Sequence, residues 1–376
     1  MQIIYKIFFI VIYLRLKYYF ISHLYFKASK ILFNEWFIKL KGKQAHFKNL
    51  KQEYFTSLNI EPFERFFLIE INQDFYIRNE LKELIFIISK KWSKISKYGN
   101  ISFDKPKYKI ITIKNSFHGR TIATLKATAQ EDKHKHFGPY PDGFIYAEDI
   151  NEAISLIDDS TVAIMLELIQ GEGGIFMQDI SQIKKLEKTL KEKKLLLIID
   201  EIQTGVYRSG NFLISQYFKI KPDIITLAKG LATGIPIGVM MTNVKDIFTF
   251  GDHGSTFGGN HLSTTVSCKV LDILEKYSNS GTLQENIKFF DSYLLYFMNK
   301  YPNLFVQKNG HGFMQGLVLK DDTKLNELIK SSLKNGLLIL KSGKNIIRFL
   351  PPLNITKKEM IKGFKRFENS IIETLK

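Results

Sequence analysis

Asp200 and Lys229 are the side chains of this sequence best placed to do chemistry. Each stands at the carboxyl end of a short apolar run: Leu195 to Ile199 leads into Asp200 and Glu201, and Ile224 to Ala228 leads into Lys229 and Gly230. Runs this short, rich in Leu and Ile and bounded by loop residues, read as buried parallel strands. Open α/β sheets bind their ligands at the carboxyl ends of such strands. An isolated buried charge is costly, so an acid and an amine delivered to one edge need a reason. A structural ion pair is one reason. A pyridoxal phosphate site is the other: the acid keeps the pyridine nitrogen protonated, and the amine condenses with the aldehyde to form a Schiff base. The pairing alone leaves both open.

The flanking residues extend the pattern. Asp200-Glu201-Ile202-Gln203-Thr204-Gly205 is followed by Arg208-Ser209-Gly210 and then Lys229-Gly230. Upstream lie Asn115-Ser116-Phe117-His118-Gly119-Arg120-Thr121 and Glu167-Leu168-Ile169-Gln170-Gly171-Glu172-Gly173-Gly174. Downstream lie His253-Gly254-Ser255-Thr256-Phe257-Gly258-Gly259-Asn260 and Ile346-Ile347-Arg348-Phe349-Leu350-Pro351-Pro352-Leu353. This ordered set resembles the class III, or ornithine-type, aminotransferases. It spans residues 109–353, with Leu168 where that family usually has Pro.

The resemblance implies the α/β fold of fold-type-I, pyridoxal-phosphate-dependent transferases, like aspartate aminotransferase. It also implies roles. Lys229 carries the cofactor and, once displaced, shuttles a proton; Asp200 is the counter-charge of the ring nitrogen. Phe117 stacks on the ring and Gln203 contacts its phenolic oxygen; His118 and Glu201 join the cofactor-binding set. Thr256 reaches the cofactor phosphate of a neighbouring subunit, and Ser255 lies beside the substrate, so the active form is a homodimer with shared sites. Arg120 binds the substrate's α-carboxylate, for which a planar guanidinium offers two parallel hydrogen bonds. Glu172 pairs with Arg348 while an ω-amino donor is bound, and swings aside when glutamate or 2-oxoglutarate needs that guanidinium. The activity implied is transfer of the ω-amino group of N-acetylornithine to 2-oxoglutarate, a step of arginine biosynthesis. Ornithine and succinyl-diaminopimelate are the alternative donors.

These residues need a scaffold. From Tyr108 onward, strand-like and helix-like segments alternate, which predicts an α/β domain with a mainly parallel sheet. Strands are expected at 108–114, 162–168 and 238–242, with a helix over 180–193 and another over 266–278. After about Asn309 shorter strands appear near 313–319, 337–340 and 346–350, and an amphipathic helix over 356–375 opens on Thr356 as N-cap. Three segments follow from this: 1–105, divergent; 106–278, a large cofactor-binding domain; and 279–376, a small C-terminal domain.

Composition narrows the remaining classes. The chain has 376 residues and a formal charge of +17. Residues 1–50 hold nine Lys or Arg against Glu35 alone, and the rest of the excess is scattered without a nucleic-acid-binding motif. No specific nucleic-acid partner is expected. The apolar run from Ile7 to Leu14 is shorter than the ~20 residues that cross a bilayer, and no small-residue cleavage site follows it, so neither a membrane span nor a secretory signal is expected. A single cysteine, Cys268, excludes an intramolecular disulfide and suits the cytoplasm. It falls in an apolar helical stretch and is expected to be packed. His134 and His136 lack a third ligand at metal-binding spacing, so no metal is expected.

The pattern breaks upstream. The family's S-G-[AT]-E-A-N turn, whose amides cradle the cofactor phosphate, has no counterpart in residues 60–100. Ile77-Arg78-Asn79 stand where its small residues belong, before Glu80 to Leu84. Divergence with the backbone still wrapping the phosphate, a frameshifted stretch and decay to a weakly active copy each account for this, and the last two weaken cofactor binding; a non-catalytic dimer of the same fold is the alternative function.

Overall fold

The computed structural model describes residues 67–71, 107–244 and 256–376. The strands in chain order are β1 (Phe67–Ile71), β2 (Lys109–Ile113), β3 (Phe144–Ala147), β4 (Thr161–Leu166), the short hairpin β5 (Ile169–Gln170) and β6 (Phe176–Met177), β7 (Leu196–Asp200), β8 (Ile224–Leu227), β9 (Gly238–Thr242), β10 (Phe305–His311), β11 (Met314–Leu319), β12 (Leu340–Ser342) and β13 (Ile346–Phe349). Seven of them form one sheet in the order β1-β9-β8-β7-β4-β2-β3. The ladders from β3 through β8 are parallel, while β9 runs antiparallel to both β8 and β1. β1 is therefore parallel to β8 and ends at the same edge as β7 and β8.

Every residue of β4, β7 and β8 is buried, as expected of parallel strands covered on both faces. Alternation decides which layer each side chain joins. Leu197 and Ile199 of β7 pack with Ile183, Leu186 and Leu190 on one face. Leu196 and Ile198 pack with Ile224 and Met240 on the other.

The helices are α1 (Ile122–Ala127), α2 (Ile150–Ser155), α3 (Ile180–Lys193), α4 (Ile214–Phe218), α5 (His261–Asn279), α6 (Thr282–Lys300), α7 (Thr323–Lys334) and α8 (Lys357–Thr374). Helix α3 spans the expected residues. Asp179 caps its first turn by accepting from the Gln182 N–H, and Lys194 ends it in the left-handed conformation at φ 55°. Helix α5 starts five residues earlier than expected, because Asn260 accepts from the Ser263 N–H at 3.0 Å and caps it there. Cys268 lies on α5 but is exposed, a correction to the expected packed thiol. The helix buries Ser263, Thr264, Ser267 and Leu274 instead.

β10, β11, β13 and β12 form a second, antiparallel sheet in that order. Helix α8 closes over it with Met360, Phe364, Phe367 and Ile371 buried at helical spacing. Each such side chain contributes about 1.5–3 kcal/mol by burial. Thr356 forms a reciprocal capping box with Glu359 at the start of α8. Along β13, Ile347 and Phe349 enter this core. Arg348, between them, is aimed the other way, toward Gly171 and Glu172 in the turn between β5 and β6. Among the described residues, no helix is long and apolar enough to cross a membrane, and no His/Cys/Asp/Glu cluster could hold a metal.

Candidate active site

Asp200 is the last residue of β7 and is 5% exposed. Three donors hold its carboxylate: the His118 ring at Nδ1, 2.9 Å from Oδ2; the Thr226 hydroxyl, 3.1 Å from Oδ1; and the Ile202 N–H, 3.1 Å from Oδ1. Thr226 is its cross-strand neighbour on β8. His118 is wholly buried, and its backbone N–H donates to Thr128 Oγ1 at 2.9 Å. Lys229 lies two residues beyond the end of β8 and opens a short 3-10 turn, Lys229–Leu231. It is exposed, and its φ of 48° lies in the left-handed region. A non-glycine residue there costs about 1–3 kcal/mol, a cost that tends to be kept at functional sites. Adjacent parallel strands thus deliver Asp200 and Lys229 to one edge.

Glu201 departs from the expectation that it joins the cofactor-binding set. One step along the chain from Asp200 turns a side chain to the opposite face. The Glu201 carboxylate accepts from the Ile214 N–H at 2.7 Å and from the Ser215 N–H and hydroxyl at 2.9 and 2.7 Å, capping α4. Burial pushes its pKa up to about 7, against those donors. Arg208 has a structural task too. It donates to the carbonyls of Pro351 at 2.5 Å and Phe313 at 3.3 Å, tying the loop after β7 to the smaller sheet. Burial lowers its pKa to about 10.

Glu167, just past β4, ties two loops together: it accepts from the Phe117 N–H at 2.8 Å and the Gly171 N–H at 3.3 Å. Burial first, with the Asp200 charge adding and His118 and the two amides opposing, raises its pKa to about 7. Phe117 is half-buried, and Arg120 is exposed with its guanidinium 5.5 Å from the Phe117 ring centroid. Gly171 has no room for a side chain, since a Cβ there would lie 1.4 Å from Gln203 Oε1. Gln203 therefore packs over that glycine.

Arg348 and Glu172, 176 residues apart in sequence, meet at 3.2 Å between Nη1 and Oε1. The same Nη1 donates to the Gly171 carbonyl at 2.9 Å. Ser342 clamps this loop by donating to the Gly171 carbonyl and accepting from the Gly174 N–H. The second Glu172 oxygen faces Lys133 Nζ at 3.5 Å. Lys133 also lies 4.5 Å from the Phe117 ring centroid. Neither motif nor periodicity singles out Lys133; only its place beside the Asn115–Arg120 loop does. Burial opposes the Glu172 charge, yet Arg348 and Lys133 together hold its carboxyl below the usual glutamate range. His134 is a structural residue, its Nε2 lying 2.5 Å from the Thr128 carbonyl.

Thr256 is exposed just before α5. Ser255, its expected companion beside the substrate, lies outside the described residues, as does the altered phosphate turn at 77–84.

Four buried polar atoms in this region have no hydrogen-bond partner among the described residues: Ser116 Oγ, His118 Nε2, Gln203 Oε1 and Arg348 Nε. An unsatisfied buried polar group costs about 1–3 kcal/mol, so this clustering suits a site shaped for a polar guest. The buried acid, its imidazole support and the exposed amine fit the ring end of pyridoxal phosphate.

Residues 88–371 match the family described as Aminotransferase class-III. The acetylornithine aminotransferase of Wolinella succinogenes is 51% identical over 265 residues, covering 70% of this chain and 67% of that protein. The acetylornithine aminotransferase of Aquifex aeolicus is 42% identical over 68% of this chain and 66% of its own length. Among solved structures, the ornithine aminotransferase of Toxoplasma gondii superposes with a TM-score of 0.74 at 27% identity, covering 86% of this chain and 77% of that one. The N-acetylornithine aminotransferase of Stenotrophomonas maltophilia superposes with a TM-score of 0.64 at 26% identity, covering 83% and 75%.

Proposed function

This chain belongs to the class III aminotransferases, and from that premise we propose that it moves the ω-amino group of N-acetylornithine to 2-oxoglutarate in arginine biosynthesis. The observation that carries the reading is the Glu172–Arg348 pair, in one chain with the firmly held Asp200 carboxylate. The identity to relatives named for acetylornithine supports that donor over ornithine.

The cofactor of this family is pyridoxal phosphate; when bound it supplies an electron sink for the substrate carbon that loses its proton. Lys229 provides the covalent attachment. Once released, its Nζ takes and returns the proton at the amine-bearing carbon. Asp200 provides the counter-charge for the ring nitrogen, and His118 and Thr226 fix that carboxylate so that it need not reorganise. Phe117 bounds one side of the ring, and Gln203 offers its amide to the ring's oxygen. Arg120 takes the α-carboxylate of the donor while Glu172 shields Arg348. A dicarboxylate displaces Glu172 and claims Arg348.

The working unit in this reading is a cytoplasmic homodimer. Thr256 takes the partner's cofactor phosphate, and exposed Phe257 and Leu262 beside it, 58% and 62% accessible, supply apolar surface for the contact. Light scattering on the purified protein should give twice the chain mass.

The test is amino transfer with purified protein and added pyridoxal phosphate. N-acetylornithine should give the highest kcat/KM with 2-oxoglutarate, and an absorption band of the bound cofactor should vanish in Lys229→Ala. The altered residues 77–84 favour one competing reading, a non-catalytic scaffold. No band at saturating cofactor and no transfer from any ω-amino donor would establish that scaffold instead.

A further inference from the structure

Glu172 divides its carboxylate between two cations on different elements: Oε1 faces Arg348 at 3.2 Å and Oε2 faces Lys133 at 3.5 Å. We propose that Lys133 is a specificity-determining positioning residue, which keeps the Glu172 charge paired when a dicarboxylate substrate takes Arg348 away. This rests on reading the site as one that alternates between a monocarboxylate donor and a dicarboxylate acceptor.

The geometry supports each part. Arg348 is 9% exposed and its Nε has no partner among the described residues, so its fork has a donor to offer an incoming carboxylate. Such a carboxylate competes with Glu172 Oε1 for the same guanidinium. Without a second cation, Glu172 would be left as a half-buried anion beside another anion, which is costly. Lys133 removes that cost from a fixed position. It ends the 3-10 turn Glu131–Lys133. That turn is held to the Asn115–Ser116 loop by Gln130 Nε2, which donates to the carbonyls of Asn115 at 2.9 Å and Ser116 at 3.1 Å. The Lys133 side chain is only 20% exposed and lies against the Phe117 ring, so its amine is not free to follow solvent.

Charge balance points the same way. Arg120, Lys133 and Arg348 carry three positive charges against one on Glu172. A dicarboxylate brings two negative charges and neutralises the set. A monocarboxylate cannot, which makes Lys133 matter for one class of substrate and little for the other. Burial pulls the Lys133 pKa down and Arg120 adds to this, while Glu172 opposes both. Loss of Glu172 from its side is therefore unfavourable, which keeps the pair together as Arg348 leaves.

The test compares glutarate with valerate, unreactive acids of equal carbon number, by titration calorimetry on the full-length protein loaded with cofactor. Lys133→Met should weaken glutarate by roughly 2- to 5-fold, the range expected for losing one partly exposed ion pair, and leave valerate unchanged. Lys133→Arg should restore glutarate binding, which a folding defect at this position would not explain. In a Glu172→Gln background, Lys133→Met should have no further effect. Equal weakening of both acids, no weakening of glutarate, or a Lys133→Met effect that persists without Glu172 would each overturn the proposal. Amino transfer from N-acetylornithine is measured on the same wild-type sample. Its absence would remove the functional reading, while the glutarate comparison would still decide the role of Lys133.

Discussion

Asp200, the last residue of β7 in the larger sheet, and Glu172, in the turn between β5 and β6, are both acidic, yet they are held in opposite ways. Asp200 is 5% exposed and has three donors, one of them a fully buried imidazole. The Glu172 side chain is 38% exposed and shares its charge between two cations at 3.2 and 3.5 Å. Taking one donor from Asp200 leaves a buried charge short of a partner, so that end of the site stays put. Taking one cation from Glu172 leaves the other in place and water nearby, so that end can rearrange. The difference separates a fixed seat, suited to a cofactor kept through every turnover, from an adjustable end, suited to substrates that differ in charge.

Substitutions on each side should give separable defects. Asp200→Asn should cost the largest effect, roughly 10²–10³-fold in kcat by analogy with losing a preorganised electrostatic group. Circular dichroism should show the fold intact, and glutarate binding should change little. Arg348→Met should weaken glutarate about 10- to 100-fold, the worth of charge-assisted hydrogen bonds, while leaving the cofactor absorption band in place. A glutarate defect in Asp200→Asn as large as that in Arg348→Met would dissolve the division between the two ends.

Glu201→Gln is the control with the smallest effect on turnover, because this carboxylate caps α4 rather than facing the cofactor. Its signature is in stability. The folded pKa of Glu201 is raised from 4.5 to about 7, so its neutral form is the one the fold prefers. The contribution is fully present below about pH 4.5 and is lost as pH rises through about 7. Denaturant melts across that window should show stability falling for the wild type, with this one group supplying at most about 1.4 kcal/mol per pH unit. Glu201→Gln should remove that share of the slope. An unchanged slope together with a large loss of kcat would return Glu201 to the cofactor set.

Much of the scaffold was legible because its signals are local. Five buried residues in a row followed by Asp200, and four followed shortly by Lys229, state a buried strand and its edge without reference to anything distant. Helix α3 and the Thr356 cap are local in the same sense. Strand alternation even contained the answer for Glu201, since a residue beside Asp200 must face the other layer; the resemblance of the motif obscured it. The expectation for Cys268 failed because apolar composition marks a helix without saying which of its faces finds a partner.

The identity and order of the chemical groups were set by the sequence alone, because side-chain chemistry and backbone periodicity are properties of neighbouring residues. Their convergence was not. Arg348 reaches Glu172 across 176 residues because β13 turns alternate side chains away from the aromatic core and toward the clamped Gly171–Gly174 loop. Lys133 joins them only because a short turn is bound back onto the Asn115–Ser116 loop. Which charges share one volume depends on how separate layers pack, and packing is decided by contacts between segments that no local pattern encodes.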